Sequence, residues 1–174
     1  MLTRMGAKTL VSPADYLATT FPDPEPEYVR GEIVERSMPD YVHSVIQPRL
    51  TYRFMQLALR QPVRVCSELR LRIEAEVYRV ADVAIFTPPF PTQPVPERPP
   101  FVVIEIISKD DRYVDILDKL REYRALGVRH VWLIDPWLRQ LHAYSESGLT
   151  TLPALSLPEY QLEITLDELL QDLP

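Results

Sequence analysis

The feature of this sequence that most restricts its fold is a pair of apolar runs separated by an amphipathic segment. The runs are "FVVIEIIS", from residue 101, and "HVWLID", from residue 130. Apolar runs of this kind are typical of strands that are covered on both faces of a sheet. The segment between them, "DDRYVDILDKLREYRAL", has its apolar residues at a helical spacing, and Gly127 ends it. Because a strand–helix–strand unit forms a right-handed crossover, a sheet with a parallel pair and a helix on its face is predicted.

Further patterns add elements on both sides of this unit. Arg30-Gly31 in "YVRGEIVERSMP" predicts a small hairpin, and "VRVCSELRLRI" and "VYRVADVAIF" predict two strands joined by a turn. In the first of these strands, strict alternation predicts that Val65 and Leu69 face the same side of the sheet. Helical spacing follows "DYVHS", and Pro48 predicts that this helix starts close to it, because proline is tolerated only in a first turn. "LHAYSESG" predicts an edge strand, and "LEITLDELLQDL" a short strand and a final helix.

These elements together predict an α/β fold, a mixed β-sheet flanked by helices. The length of 174 residues is sufficient for one domain with a substantial core. We expect this single domain to span residues 28–174. Residues 1–27 are predicted to form an N-terminal arm that contains one short helix over residues 13–19, capped by Ser12.

Composition restricts the compartment and the partners of the chain. No apolar run reaches the roughly 18 to 20 residues that span a membrane, the N-terminus lacks a secretory signal, and Cys66 is the only cysteine. These features predict a cytoplasmic protein without membrane contact.

The net charge of −6 argues against indiscriminate nucleic-acid binding. Arginines are nevertheless concentrated between residues 49 and 72, either on a solvated face or in a phosphate-facing patch, and the candidate contacts to nucleic acid are Arg49, Arg53, Arg60, Arg70 and Arg72.

Two acidic residues stand out because they lie inside predicted strands. Glu105 is the one charge in "FVVIEIIS", and Asp82 lies in "VYRVADVAIF". If these strands are neighbours, the two carboxylates converge and repel each other unless a proton or a cation lies between them. Carboxylate oxygens are ligands that suit Mg²⁺. The alternative is that each acid pairs with an arginine such as Arg79.

The order of the motifs resembles a known family. "EYVRGEIVERSMPDYVHSVI", "VYRVADVAIF", "FVVIEIIS", "DILDKLREYRALGVRHVWLIDP" and "LHAY" occur in the order seen in the Uma-type restriction-endonuclease family, domain of unknown function 820. That family is similar to the PD-(D/E)XK nuclease superfamily, and the resemblance covers residues 28–144. It implies a restriction-endonuclease-like core in which an Asp and a Glu bind Mg²⁺ and a lysine helps to activate water.

The resemblance assigns catalytic roles to particular residues. Asp82 and Glu105 match the acidic positions of the superfamily motif, although Ile107 stands where the motif has its lysine. Members of the family carry a lysine on the following helix instead, and Lys119 occupies that place. Lys109 is the alternative, because it is nearer to the acids in the sequence.

Further ligands and a histidine complete the set of candidates. The backbone carbonyl of Ile106 is expected to contribute to the metal site. Glu68 is either a third metal ligand or the partner of a neighbouring arginine, and Glu32 lies at a position that the family fills with an acid. His43 is expected to be a partly buried histidine with a satisfied side chain and not a general base.

The resemblance therefore implies a nuclease that uses Mg²⁺, with Mn²⁺ as a substitute, to hydrolyse phosphodiester bonds of nucleic acid, with DNA as the expected partner and RNA as the alternative. A homodimer is expected, because nucleases that cut duplexes often work as dimers. The alternative is a catalytically inactive binding or dimerisation module, which the missing motif lysine favours. A resemblance in fold does not by itself establish chemistry.

Overall fold

The structure is a computed structural model that describes residues 10–173. The helices are α1 (Pro13–Ala18), α2 (Tyr41–Ala58), α3 (Tyr113–Leu126) and α4 (Leu166–Leu170). The strands are β1 (Glu27–Val29), β2 (Glu32–Val34), β3 (Arg64–Glu74), β4 (Val77–Phe86), β5 (Val102–Ile106), β6 (His130–Asp135), β7 (Gln140–Ser145), β8 (Gly148–Leu152), β9 (Ala154–Leu157) and β10 (Leu162–Thr165). Within these residues no helix is both long and apolar enough to cross a membrane.

One large sheet contains most of the strands in the order β2-β1-β4-β5-β6-β7-β8, and β3 pairs with β4 outside this path. The pair β5–β6 is parallel, with α3 as its crossover, whereas the other pairs are antiparallel. β9 and β10 form a separate small sheet. The predicted mixed sheet flanked by helices, including its parallel unit, is confirmed.

Two apolar clusters cover the two faces of the sheet. On one face α2 packs with β5, β6 and the C-terminal elements, and on the other face α3 packs with β3 to β6. β5 contributes to both, since Ile104 belongs to the α2 cluster and Val103 to the α3 cluster. This explains why the sequence of β5 is apolar at consecutive positions.

The strand β3 changes face along its length. Val65 packs against the α2 cluster, whereas Leu69 and Leu71 pack against the α3 cluster, although all three have odd numbers. Glu68 between them has a φ of 51°, in the left-handed region that a side chain rarely adopts. One residue in this conformation reverses the alternation that follows it, so the prediction that Val65 and Leu69 share a face is wrong.

The predicted start of α2 is also wrong. The helix begins at Tyr41, and Pro48 lies in its interior. Asp40 caps the helix by accepting a hydrogen bond from the His43 N–H at 2.9 Å, and Ile46 is fully buried. The cap and this burial stabilise the first two turns, although Pro48 has no N–H and therefore cannot donate the usual backbone hydrogen bond of a helix.

At the N-terminus, α1 agrees with its predicted position. Ser12 caps the helix, and its hydroxyl accepts a hydrogen bond from the Asp15 N–H. Residues 1–9 of the predicted arm lie outside the described residues. The division into an arm and a single domain from residue 28 stays a prediction.

Two leucines near the end of α2 test the role of its buried face. Leu57 is 1% exposed and Leu59 is 88% exposed. We expect Leu57→Ala to lower the free energy of unfolding by about 3 kcal/mol, because it leaves a cavity in the α2 cluster. The matched substitution Leu59→Ala changes it by less than about 0.5 kcal/mol. Urea unfolding followed by circular dichroism measures both, and equal losses would contradict this packing.

Candidate active site

The site lies where one edge of β4 changes its partner strand. β3 pairs along the length of β4 on one edge. On the other edge, Val77 and Tyr78 pair with β1, and the stretch from Val83 to Ile85 pairs with β5. Between them β4 has no partner strand on this edge, and its backbone groups need other hydrogen-bonding partners.

Side chains replace the missing strand. The Val80 N–H donates to Glu27 Oε1 at 3.0 Å, and Lys119 Nζ donates to the Val80 carbonyl at 3.2 Å. Gln47 Nε2 donates to the Asp82 carbonyl at 2.9 Å. The gap in the ladder is therefore filled by an acid from β1, a lysine from α3 and an amide from α2.

Asp82 is held through both of its carboxylate oxygens. Oδ2 accepts a hydrogen bond from the Ile106 N–H at 2.8 Å and lies 3.2 Å from His43 Nε2, while Oδ1 accepts from Arg36 Nη2 at 3.1 Å. Burial acts to raise the pKa of Asp82, but the contact with His43 and the charges of Lys119 and Arg36 outweigh it. The pKa of Asp82 therefore lies below its ordinary value.

Glu105 has fewer cationic partners. Tyr123 donates its hydroxyl to Oε1 at 2.8 Å, and Lys119 Nζ donates to Oε2 at 2.7 Å. Burial raises the pKa of Glu105 to about 7, and the negative charge of Asp82 adds to this effect against the opposing charge of Lys119. Burial acts in the opposite direction on Lys119, but Glu105 and Glu27 outweigh it and raise the pKa of this ammonium group.

Glu27 is a member of the site that the sequence did not reveal. Its carboxylate accepts from Arg79 Nη1 at 2.8 Å and lies 3.0 Å from Lys119 Nζ. Burial would raise the pKa of Glu27, but Lys119 and Arg79 lower it below the ordinary value. Arg79 also donates to Glu122 on α3. Arg79 therefore pairs with these two acids, whereas the arginine that contacts Asp82 is Arg36.

A cavity of about 220 Å³ joins these groups. The lining includes Asp82, Glu105, Ile106 and Lys119. Arg36, from the segment before α2, and His43, from α2, line it as well. The two acids that the sequence singled out therefore share one cavity. Among residues 10–173 no group of three or more His, Cys, Asp or Glu side chains is arranged to hold a metal ion.

The other predicted site residues lie elsewhere. Lys109 is not part of the cavity lining, and its backbone N–H donates to Asp40 at 3.1 Å. Glu68 accepts from Arg36 and from Gln47 at 2.6 and 2.7 Å, so its arginine partner comes from the segment before α2 and not from its own strand as predicted. Glu32 lies on β2 opposite Val29 and does not line the cavity.

The candidate nucleic-acid arginines do not line this cavity either. Arg49 donates to the carbonyls of Leu169 and Gln171, both at 2.8 Å, and Arg53 donates to the Glu163 carbonyl at 2.8 Å. These contacts attach α2 to the C-terminal elements. In β3, ion pairs join Arg70 to Glu25 and Arg72 to Glu97. The contacts of the five arginines with nucleic acid stay a prediction.

Comparison with known proteins identifies relatives of the chain. The family model described as "Uma2: Putative restriction endonuclease" matches residues 13–173. A solved structure described as a putative nuclease belonging to DUF820 from Anabaena variabilis ATCC 29413 superposes with a TM-score of 0.80 at 21% sequence identity, over 91% of this chain and 97% of that chain. No protein with a curated function matches the sequence. The predicted family resemblance and the nuclease-like fold are confirmed.

The raised pKa of Glu105 predicts how stability depends on pH. Between the ordinary pKa of 4.5 and about 7, the native carboxyl keeps a proton that the unfolded chain has lost. The contribution of this group therefore destabilises the native state as pH rises, by up to about 1.4 kcal/mol per pH unit. We expect the Glu105→Gln variant to lack this pH dependence. The difference between its free energy of unfolding and that of wild type should therefore be about 2 kcal/mol more favourable to the variant at pH 7 than at pH 5.

The measurement is urea unfolding at several pH values, with Glu74→Gln as the control because Glu74 has an exposed side chain. Curves for Glu105→Gln and wild type that run parallel across this pH range would contradict the expected titration.

Proposed function

We propose that this chain, which belongs to the Uma2 family, is a metal-dependent nuclease that hydrolyses phosphodiester bonds of nucleic acid at the cavity beside β4. The observation that carries the proposal is the pair of buried carboxylates, Asp82 and Glu105, in one cavity with the ammonium group of Lys119. Buried acids with shifted pKa values in a cleft are typical of catalytic sites.

The donor set fits a divalent cation. An ionised carboxylate oxygen accepts about two hydrogen bonds, and Asp82 Oδ1 and both oxygens of Glu105 each make a single hydrogen bond among those described above. Hard oxygen donors of this kind match Mg²⁺, or Mn²⁺ in its place. Burial, with the negative charge of Asp82, raises the pKa of Glu105, and a cation bound beside it would favour the ionised carboxylate.

Asp82 and Glu105 would hold the cation, with the backbone carbonyl of Ile106 as a further ligand. The binding of the cation by Glu68 and Glu32 as additional ligands stays a prediction. When bound, such a cation polarises a phosphoryl oxygen and lowers the pKa of a coordinated water.

Lys119 is the catalytic lysine of the proposal. Its Nζ contacts Glu105, Glu27 and the Val80 carbonyl, and the raised pKa keeps it protonated at neutral pH. An ammonium group in this state donates hydrogen bonds and offsets developing negative charge. Its positive charge therefore stabilises the negative charge that develops on the phosphoryl group, whereas proton abstraction from the attacking water would require the neutral amine.

DNA is the proposed substrate, because the family is described as restriction endonucleases. A homodimer and a cytoplasmic location are part of the same proposal. Arg49 and Arg53 of α2 and Arg70 and Arg72 of β3 would hold the nucleic-acid backbone only by exchanging their protein partners for phosphates. Arg60, which follows α2, is the fifth proposed contact, and salt would weaken all of these contacts strongly.

A second function is favoured by the charge balance of the site. Asp82 already contacts Arg36 and His43, and Glu105 already contacts Lys119, so both acids are paired without a metal. A catalytically inactive binding or dimerisation module would keep this network for stability alone. Calorimetric titration with Mg²⁺ and sedimentation separate the two functions, because a dimer that binds no metal supports the module.

Cleavage of plasmid and single-stranded DNA in Mg²⁺ or Mn²⁺ tests the nuclease directly. We expect Asp82→Asn and Glu105→Gln to lower the rate by about a hundredfold or more, since each removes a charged ligand of the cation. A chelator should abolish cleavage. Asp118→Asn is the matched control, because Asp118 lies on the exposed surface of α3 and pairs with Arg121. Undiminished cleavage by either acid variant would exclude this mechanism.

The two candidate lysines give a separate prediction. We expect Lys119→Gln to reduce the cleavage rate by about a hundredfold, because it removes the positive charge next to Glu105. Lys109→Gln should leave the rate close to that of wild type. Rates are compared below the unfolding midpoint of each variant, so that loss of folding is not read as loss of catalysis. Equal effects of the two substitutions would contradict the assignment.

A further inference from the structure

The two oxygens of Asp82 have different kinds of partner. Oδ2 is held by the Ile106 N–H and lies beside His43, which are parts of β5 and of the capped first turns of α2. Oδ1 is held by Arg36, which belongs to the irregular segment between β2 and α2. One oxygen is therefore fixed by regular structure and the other by a side chain on a connecting segment.

Arg36 is positioned to serve more than one partner. Its side chain is 12% exposed and lines the cavity. Nη1 donates to Glu68 Oε2 at 2.6 Å while Nη2 donates to Asp82 Oδ1 at 3.1 Å. Glu68 lies at the outer side, with 39% of its side chain exposed. The guanidinium is thus anchored to Glu68 on one side and reaches into the cavity on the other.

We propose that Arg36 exchanges Asp82 for a phosphate group of the substrate when a divalent cation binds the two acids. The inference rests on the proposed function and adds the residue that recognises the substrate phosphate. A cation that binds Asp82 needs Oδ1, because Oδ2 already has two partners. The guanidinium carries the same sign of charge as the cation, so the two compete for this oxygen.

The released guanidinium has a suitable new partner in the same cavity. A phosphodiester that reacts at Asp82 and Glu105 brings anionic oxygens next to the atoms that Arg36 has left. The planar fork of arginine donates two parallel hydrogen bonds to phosphate oxygens, and its charge does not depend on pH in the physiological range. The contact with Glu68 keeps the side chain near the cavity during the exchange.

The affinities for the cation and for the substrate distinguish this role of Arg36 from a purely structural role. A structural arginine stabilises the folded site, so its loss weakens binding of the cation and of the substrate together. An exchanging arginine competes with the cation and assists the substrate, so its loss has opposite effects on the two affinities.

The test uses Arg36→Gln, which keeps hydrogen-bond donors but removes the charge. Calorimetric titration with Mn²⁺ measures the cation, and fluorescence anisotropy with a hydrolysis-resistant phosphorothioate oligonucleotide at saturating Mn²⁺ measures the substrate. We expect the Kd for Mn²⁺ to fall by about tenfold and the Kd for the oligonucleotide to rise by about tenfold. Arg121→Gln is the matched control, because Arg121 pairs with Asp118 on the exposed surface of α3 and does not line the cavity, and both affinities should stay within about twofold.

Arg36→Lys keeps the test decisive if the glutamine variant does not fold. It retains the charge that competes with Mn²⁺ but lacks the planar fork, so we expect an unchanged Kd for Mn²⁺ and a weaker oligonucleotide complex. Wild-type affinities in Arg36→Gln, or weaker binding of both ligands, would overturn the exchange.

Asp82→Asn separates the two proposals. If it binds Mn²⁺ as wild type does, the metal site of the proposed function fails. If it loses Mn²⁺ while Arg36→Gln is unchanged, the exchange alone fails.

Discussion

The structure of the site depends on the backbone groups of Val80, which face a gap between two partner strands of β4. A buried N–H or carbonyl without a hydrogen bond costs about 1 to 3 kcal/mol, so the gap must be filled. Glu27 and Lys119 fill it, and both side chains are buried in doing so. Buried charges in turn require partners of the opposite sign, which Arg79 and Glu105 supply. The hydrogen bonds that complete the sheet therefore also bring the charged groups of the site together.

The three buried acids differ because their partners differ. Burial raises the pKa of each, but Glu27 has two cationic partners and a backbone N–H, and Asp82 has Arg36, His43 and a backbone N–H. Glu105 shares the single ammonium of Lys119 with Glu27 and otherwise accepts from a neutral tyrosine hydroxyl. Burial therefore raises its pKa to about 7, because too little positive charge offsets the effect of burial. Among the three acids, Glu105 is therefore the one whose ionisation an added cation would favour most.

Sequence patterns predicted the parts of this arrangement that are local. The apolar run of β5 identified Glu105, and the family motifs indicated Asp82 and Lys119. Glu27 was missed because its segment, "FPDPEPE", has no periodicity that distinguishes it from neighbouring acids, and its burial results from the pairing of β1 with distant β4. Arg36 was missed for a similar reason, since the irregular segment that carries it has no pattern of burial. The face change of β3 depends on the backbone angle of Glu68, which composition does not reveal.

The competing functions differ in how the site tolerates added charge. Asp82 contacts Arg36 and Glu105 contacts Lys119, so a divalent ion that enters this buried cluster must displace a positive group or bring negative charge with it. Lys119 is a poor candidate for displacement, because it also holds the Val80 carbonyl in the gap of the sheet. Arg36 holds no backbone group among its described hydrogen bonds, and the segment that carries it belongs to neither strand nor helix. In the proposed nuclease, catalysis therefore requires that Arg36 leaves Asp82, since a site whose arginine cannot leave would remain a stable but inactive network.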